Sequence, residues 1–172
     1  MLDLDFANTV ADDSPEAFAP EDAAPDPEAL LAWLSSPVTL ERMQAARAFC
    51  EVQDPRAPAL LLPLLTDDCT LVRVSAAYAL GRNPTPELVP VAIARLAAEW
   101  NGYVRKGLVW ALGNCGDHPV RSRAIAAIIA ALEREDLGLQ EDARATLRKL
   151  GDPQGLAVLE KIDMEQGYCD LY

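Results

Sequence analysis

Apolar residues in this chain recur in short clusters at helical spacing, and the clusters themselves repeat. The segment "RMQAARAFCEVQDP" (42–55) aligns with "RVSAAYALGRNPTP" (73–86), "RKGLVWALGNCGDH" (105–118) and "QEDARATLRKLGDP" (140–153). Successive copies are offset by 31, 32 and 35 residues. Self-similarity at a fixed period is the signature of a repeat architecture. The pattern therefore predicts a stack of similar helical units.

The aligned copies predict which side of the first helix in each unit is buried. Large apolar residues recur at one position, where they can fill a core, and small residues recur one position earlier, where they let neighbouring helices approach closely. The large row and the small row are Phe49, Leu80, Leu112, Leu147 and Ala48, Ala79, Ala111, Thr146.

A row of Asp and Thr follows each first helix and predicts the start of a second helix. Such side chains accept hydrogen bonds from the unpaired amides of a helix N-terminus, and proline, which follows closely in each copy, is tolerated at the first helical position. The predicted N-caps are Asp54, Thr85, Asp117 and Asp152.

The second helices are predicted over 58–65, 87–100, 121–135 and 155–162, and Asp26 is expected to cap a further helix over 27–36. The fold predicted is all-α, a short right-handed α-solenoid of about four helical hairpins preceded by an N-terminal capping helix. We expect the solenoid to span 27–163, between an acidic, flexible tail (1–26) and a C-terminal tail (164–172).

The repeat resembles a known family. "VRVSAAYALG" (72–81), "VRKGLVWALG" (104–113) and "KLGDP" (149–153) are similar to HEAT repeats, and more narrowly to the HEAT-like repeats of the cyanobacterial phycobilisome lyase group. The resemblance implies a protein-binding solenoid. Members of that group include bilin lyase subunits, phycobilisome-degradation factors, an iron–sulphur-assembly partner and scaffolds.

The net charge of the chain argues against two classes of binding partner. The chain has 172 residues and a net charge of −12, which disfavours nucleic acid and anionic membranes because both require basic surfaces. No apolar run approaches the length of a membrane span, and the N-terminus lacks a signal-peptide pattern. We therefore expect no membrane insertion, a cytoplasmic location and another protein as the partner.

The N-terminal tail carries much of this charge. Residues 1–27 contain eight acidic residues and no Lys or Arg, with Phe6 and Phe18 as isolated apolar anchors. This composition is typical of segments that are disordered in isolation. The tail is interpreted either as a solvated linker or as a ligand for the groove of its own solenoid, where it would compete with a partner.

Two rows of the first helices could carry a binding function. Arg42, Arg73 and Arg105 form either a basic stripe for an acidic partner or a structural ladder in which each Arg reaches a carbonyl or carboxylate of an adjacent repeat. A second row contains Arg47, Tyr78, Trp110 and Ala145 and should face outward or to one edge.

The second row and the junction "EWNGY" suggest the best candidate site, because exposed aromatics beside Arg are typical of binding hot spots. The opposing interpretation is that Trp100 and Trp110 only fill the junction between repeats. The predicted partner-binding residues are Tyr78, Trp100, Tyr103, Arg105, Lys106, Trp110, Asn114 and Cys115.

Catalytic and metal chemistry are disfavoured. Cys50, Cys69, Cys115 and Cys169 form no CxxC pair and are expected to be free thiols, mostly buried. Cys115 and His118 give C-x-x-H, but zinc needs two further ligands and a nucleophilic pair lacks an orienting group. We expect no catalytic residue and no cofactor. The function expected is a non-catalytic protein-binding scaffold or adaptor, which could serve as an assembly or maturation factor for a photosynthetic or metal-cofactor protein complex. Two alternatives are a subunit of a heteromeric bilin lyase and a partner in iron–sulphur chemistry.

Overall fold

A computed structural model describes residues 26–116, 119–133 and 136–166, and every regular element in these ranges is an α-helix. The predicted all-α class is confirmed, and the second helices begin within two residues of the predicted positions. The helices are α1 (Pro27–Trp33), α2 (Thr39–Ala48), α3 (Ala57–Leu64), α4 (Thr70–Arg82), α5 (Leu88–Ala98), α6 (Gly102–Gly113), α7 (Arg121–Ala131), α8 (Leu137–Leu150) and α9 (Pro153–Glu165).

Helices that are adjacent along the chain pack on one another to different extents. α1 packs on α2, α3 on α4, α5 on α6, α6 on α7 and α7 on α8, whereas α2 and α3, and likewise α4 and α5, contact each other little. At the N-terminal end of the stack, α1 packs on α2, where the capping helix was predicted. At the other end of the described chain, α9 packs on α8.

The stacked helices form two layers, and the helices of one layer contact one another more extensively than those of the other. α2, α4, α6 and α8 contact one another extensively, whereas α3, α5, α7 and α9 contact one another sparsely. Small residues account for the difference, because Ala76, Ala77, Gly107 and Ala111 let α4 and α6 approach closely. We call the closely packed layer of α2, α4, α6 and α8 the inner layer, and the layer of α3, α5, α7 and α9 the outer layer.

One continuous core runs between the layers from Leu30 to Leu159. The predicted row of large apolar residues lies in it: Phe49, Leu80, Leu112 and Leu147 are all buried. A helix pair of this kind cannot bury its apolar face alone, and stacking supplies the missing contacts. The stacked helices and their shared core confirm the predicted all-α solenoid.

Of the three members of the predicted N-cap row that the structure describes, one caps a helix with its side chain. Asp152 accepts hydrogen bonds from the amides of Gln154 and Gly155 at the start of α9. Asp54 instead accepts from the amide of Arg56 and pairs with its guanidinium, ahead of α3, because the chain makes a turn at Pro55 before the helix begins. Neither Thr85 nor Asp26 makes a side-chain cap, and Asp117 lies outside the described residues.

The caps that the structure does contain stand elsewhere. Asn101 accepts from the amides of Tyr103 and Val104 at the start of α6, and Asp136 accepts from the amide of Leu139 at the start of α8. Both cap inner-layer helices, which the repeat alignment left without cap residues. Each of these helices therefore begins with a side chain that pairs amides of its own first turn.

Both predicted tails fall largely outside the part of the chain that the structure describes, which begins at Asp26 and ends at Gln166. Their boundaries remain predictions. Among the helices that are described, none combines the length and the apolar character needed to cross a bilayer.

Candidate functional site

The Arg row forms the structural ladder that was one of its two interpretations. Each guanidinium pairs with a carboxylate ahead of the next inner-layer helix: Arg42 with Asp67 at 2.7 Å, Arg73 with Glu99 at 3.0 Å and Arg105 with Asp136 at 2.5 Å. Arg42 and Arg73 also donate to backbone carbonyls in the loops before their own helices. The row ties successive hairpins together and is not an open basic stripe.

Glu99 is the most enclosed member of the ladder, with a fully buried side chain. Burial by itself raises the pKa of this carboxyl, but the Asn101 amide and the guanidiniums of Arg73 and Arg95 overcome that effect and hold the pKa below its usual range. The junction "EWNGY" is therefore filled by an ion-pair network centred on Glu99.

A groove of about 800 Å³ opens on the inner layer, across α2, α4 and α6. We call it the inner groove. Its floor is mainly apolar and its edges carry charged side chains. The residues that line it are Met43, Arg47, Cys50, Glu51, Leu71, Val74, Ser75, Tyr78, Arg82 and Trp110.

Trp110 closes one end of the inner groove. Its ring lies over Gly81, where an added Cβ would be only 2.3 Å from Cζ3 of the indole. The ring centroids of Tyr78 and Trp110 are 5.6 Å apart, and the guanidinium carbon of Arg82 lies 5.9 Å from the Trp110 centroid. The absence of a side chain at Gly81 thus allows the two aromatic rings and a cation to assemble.

The charges of the groove are unbalanced. Neither Arg47 nor Arg82 pairs with a carboxylate among the described residues, in contrast to the ladder arginines. Glu51 also lines the groove and leaves one net positive charge there. An apolar floor with aromatic rings and unpaired guanidiniums fits a ligand that carries both apolar and acidic groups.

The second row lies as predicted on an accessible face. Arg47 and Ala145 are exposed, and Tyr78 and Trp110 are half-buried in the groove. Tyr103, Lys106, Trp110 and Asn114 occupy one face of α6, because helical residues three and four apart are neighbours. Four of the predicted site residues therefore share a single surface.

Polar contacts fix two members of this face. Lys106 pairs with Asp142 of α8 at 3.3 Å, and this ion pair raises the pKa of the lysine. The side-chain amide of Asn114 donates to the carbonyl of Trp110, and its oxygen accepts from Lys149. Both residues link α6 to α8 at the edge of the face.

Trp100 and Tyr103 are largely exposed, at 74% and 72%. Trp100 therefore does not fill the junction between repeats, which was the alternative interpretation. Neither residue lines the inner groove, and both lie near the start of α6, with Tyr103 two turns from Trp110. They extend the accessible aromatic surface beyond the groove.

Two predicted site residues lie away from this surface. Arg105 is engaged by Asp136 in the ladder. Cys115 is buried (2% exposed), its thiol lies against the carbonyl of Ala111, and burial raises its pKa to about 11. The thiol of Cys115 is enclosed by the folded repeats, and the guanidinium of Arg105 is already engaged in an ion pair.

Most of the groove floor lies outside the site residues that were predicted from the sequence. Leu40 and Leu71 align with Tyr103 in the repeat register, and Met43 and Val74 align with Lys106. Leu40 and Leu71 are more than half exposed. Large apolar residues at repeat positions outside the core rows were the signal that could have identified this surface.

The described cysteines are free thiols. No group of three or more His, Cys, Asp or Glu that could hold a metal ion occurs in the described ranges. Cys50 and Cys69 are half-buried and free, whereas His118 and Cys169 lie outside those ranges. Burial raises the pKa of Cys50, with a smaller contribution from Glu51.

Comparison with known proteins identifies the repeat. The family model described as HEAT repeats matches residues 27–113 and 89–165, which together cover the described helices. The match is to HEAT repeats in general and does not reach the narrower phycobilisome lyase group. No curated protein matches the chain.

Proposed function

We propose that this chain, which belongs to the HEAT-repeat family, is a non-catalytic scaffold that binds another protein in the inner groove. HEAT repeats generally mediate protein–protein interaction, and solenoids of this type present extended binding surfaces. The partner class is therefore protein, and the proposal concerns where the partner binds.

One observation supports this location above the others: Arg47 and Arg82 are unpaired beside the Tyr78–Trp110 ring pair. Tyr, Trp and Arg are the residue types enriched at binding hot spots. Every ladder arginine, by contrast, already has a carboxylate partner. Two guanidiniums without a carboxylate partner thus lie beside the aromatic surface.

Affinity capture from the native cell tests the proposal, using the full chain and charge-reversal variants. We expect Arg47→Glu to lose partner proteins that the unaltered chain retains, as identified by mass spectrometry. Arg123→Glu is the matched control, because Arg123 is exposed on α7 of the outer layer. Partners that survive Arg47→Glu but are lost with Arg123→Glu would place the binding surface on the outer layer and contradict the proposal.

A finer role is proposed from the resemblance of the repeat to the phycobilisome lyase group. In this role the chain is an adaptor that assists assembly or maturation of a photosynthetic or metal-cofactor protein complex. The captured proteins test it directly. Apo-subunits of such a complex would support the role, and partners unrelated to any cofactor-bearing complex would contradict it.

We propose as an alternative function a subunit of a bilin lyase, and the residue types that line the inner groove support it. A bilin combines a flat conjugated system with two carboxylates, which the aromatic pair and two arginines could accommodate. Phycocyanobilin mixed with the protein, with and without a candidate apo-phycobiliprotein, should then show a shifted absorbance spectrum that Arg47→Glu abolishes. An unshifted spectrum in both mixtures would exclude this function.

A further inference from the structure

Polar contacts lead from the start of α1, near the first described residue, to the edge of the inner groove. Glu28, in the first turn of α1, pairs with Arg56 at 2.8 Å. Arg56 pairs in turn with Asp54, whose amide donates to the side chain of Asn83 at 3.1 Å. Asn83 directly follows Arg82, which lines the groove. A short run of polar contacts therefore connects the start of α1 to the edge of the groove.

A second, shallower depression continues this path. It is lined in part by Asp54, Pro55, Arg82 and Asn83, and it shares Arg82 with the inner groove. The surface beside the turn after α2 therefore adjoins the inner groove at Arg82.

The segment that precedes α1 has the chemistry that the groove requires. Residues 1–26 contain eight acidic residues, no Lys or Arg, and the two phenylalanines Phe6 and Phe18. Acidic groups complement Arg47 and Arg82, and a phenyl ring complements the Tyr78–Trp110 pair.

The segment is also long enough. At roughly 3.3 Å per extended residue, 25 residues span up to about 80 Å, whereas neighbouring packed helices lie only about 8–10 Å apart. A tether of this length gives an effective concentration in the millimolar range. Even a weak site would be substantially occupied under that condition.

We propose that the N-terminal segment 1–26 binds in the inner groove of its own chain, with Phe6 or Phe18 against the aromatic pair and its carboxylates facing Arg47 and Arg82. This inference rests on the proposed function, because it makes the segment a competitor for the same surface. A partner protein must displace the segment before it can bind. The acidic segment then acts as an intrinsic brake on binding and favours partners whose own ligand is acidic and aromatic.

Cys50 provides the test, because it lines the groove and its thiol is only half-buried. The rate of its alkylation by N-ethylmaleimide in the full chain can be followed by peptide mass spectrometry, with half-buried Cys69 outside the groove as an internal reference. The test variant is Phe6→Ser/Phe18→Ser, and the control variant in the same segment is Asn8→Ser.

We expect the double variant to raise the Cys50 rate about threefold, as release of a mostly occupied intramolecular site would, and to leave the Cys69 rate unchanged. A synthetic peptide of residues 1–26, added at millimolar concentration, should restore protection. Raising the salt concentration should also accelerate Cys50 alkylation in the unaltered chain, because salt screens the carboxylate–guanidinium attraction.

Equal Cys50 rates in the unaltered chain and the double variant would overturn the inference. Protection that increases with protein concentration would also overturn it, since it would identify a second copy as the occupant. If Cys50 is unaffected by the segment but capture of partners still depends on Arg47, the proposed function stands without the brake. If the segment protects Cys50 while Arg47→Glu leaves capture unchanged, the brake stands and the partner site lies elsewhere.

Discussion

The indole ring of Trp110 lies directly over Gly81, so that a methyl group at position 81 would be 2.3 Å from the ring. The two residues belong to successive inner-layer helices. Their contact sets both the spacing of α4 and α6 and the end wall of the inner groove. Packing and the proposed binding surface therefore depend on the same pair.

Gly81→Ala should destabilise the protein by about 1–3 kcal/mol, the typical cost of overpacking, although alanine has the better helix propensity. Urea unfolding followed by circular dichroism measures the change. Gly102→Ala is the matched control, because a Cβ there would meet its nearest neighbour at 3.4 Å. Equal stability of the Gly81 variant and the unaltered chain would show that Trp110 moves away without cost.

Glu99→Ala should cost about 3–5 kcal/mol, since it leaves the buried guanidinium of Arg73 without its carboxylate. The exposed pair Lys161–Glu165 offers the control. Glu165→Ala should leave the urea midpoint unchanged, because exposed ion pairs contribute little. A small effect at Glu99 would mean that water replaces the carboxylate in the ladder.

Stability should decline in acid. Hydrogen bonds from the Leu139 amide and Arg105 lower the pKa of Asp136, and Arg42 lowers that of Asp67 against the opposing effect of burial. A carboxyl whose folded pKa is depressed stabilises the fold fully above its unfolded pKa, near 4, and loses that contribution as the pH falls. Urea midpoints measured from pH 7 to pH 3 should drop below about pH 5, and less steeply in Asp136→Asn. An identical decline in that variant would assign the acid sensitivity to other carboxyls.

The exposed and the packed aromatic residues should differ in how much they contribute to the unfolding free energy. Trp100→Ser with Tyr103→Ser should leave the unfolding free energy nearly unchanged, because both side chains are largely exposed. Trp110→Ala should cost about 3 kcal/mol, because it removes a ring packed on Gly81 and Tyr78. Thermal and urea unfolding of the two variants measure the contrast, and a large loss in the double variant would mean that Trp100 or Tyr103 supports the junction.

The repeat pattern predicted the helices but not how closely each one packs on the next. Phe49, Leu80 and Leu112 were placed in the core by a register that every copy shares. α2 and α3 contact each other little, whereas α6 and α7, which occupy the equivalent positions one unit further along, pack together. This difference depends on the side chains that two adjacent helices present to each other and not on the repeat spacing.

The candidate site was predicted in part, for a related reason. Tyr78 and Trp110 were found because they share a repeat row outside the core rows, and the structure places their ring centroids 5.6 Å apart. Met43 and Leu71 were missed, since ordinary apolar residues at helical spacing look like core until neighbouring helices leave them uncovered. Arg105 and Cys115 were included because residue type does not reveal which side chains are already occupied or enclosed.

By itself the sequence determined the helical content, the stacked repeat and the rows that form the core, because these follow from local periodicity and from the burial that each unit lacks alone. The tertiary structure alone decided which arginines are paired and which remain free. Arg73 meets Glu99 and Arg47 meets no carboxylate in the described ranges, although both occupy regular repeat positions. That difference depends on what the adjacent hairpin places opposite each side chain, and no single helix carries this information.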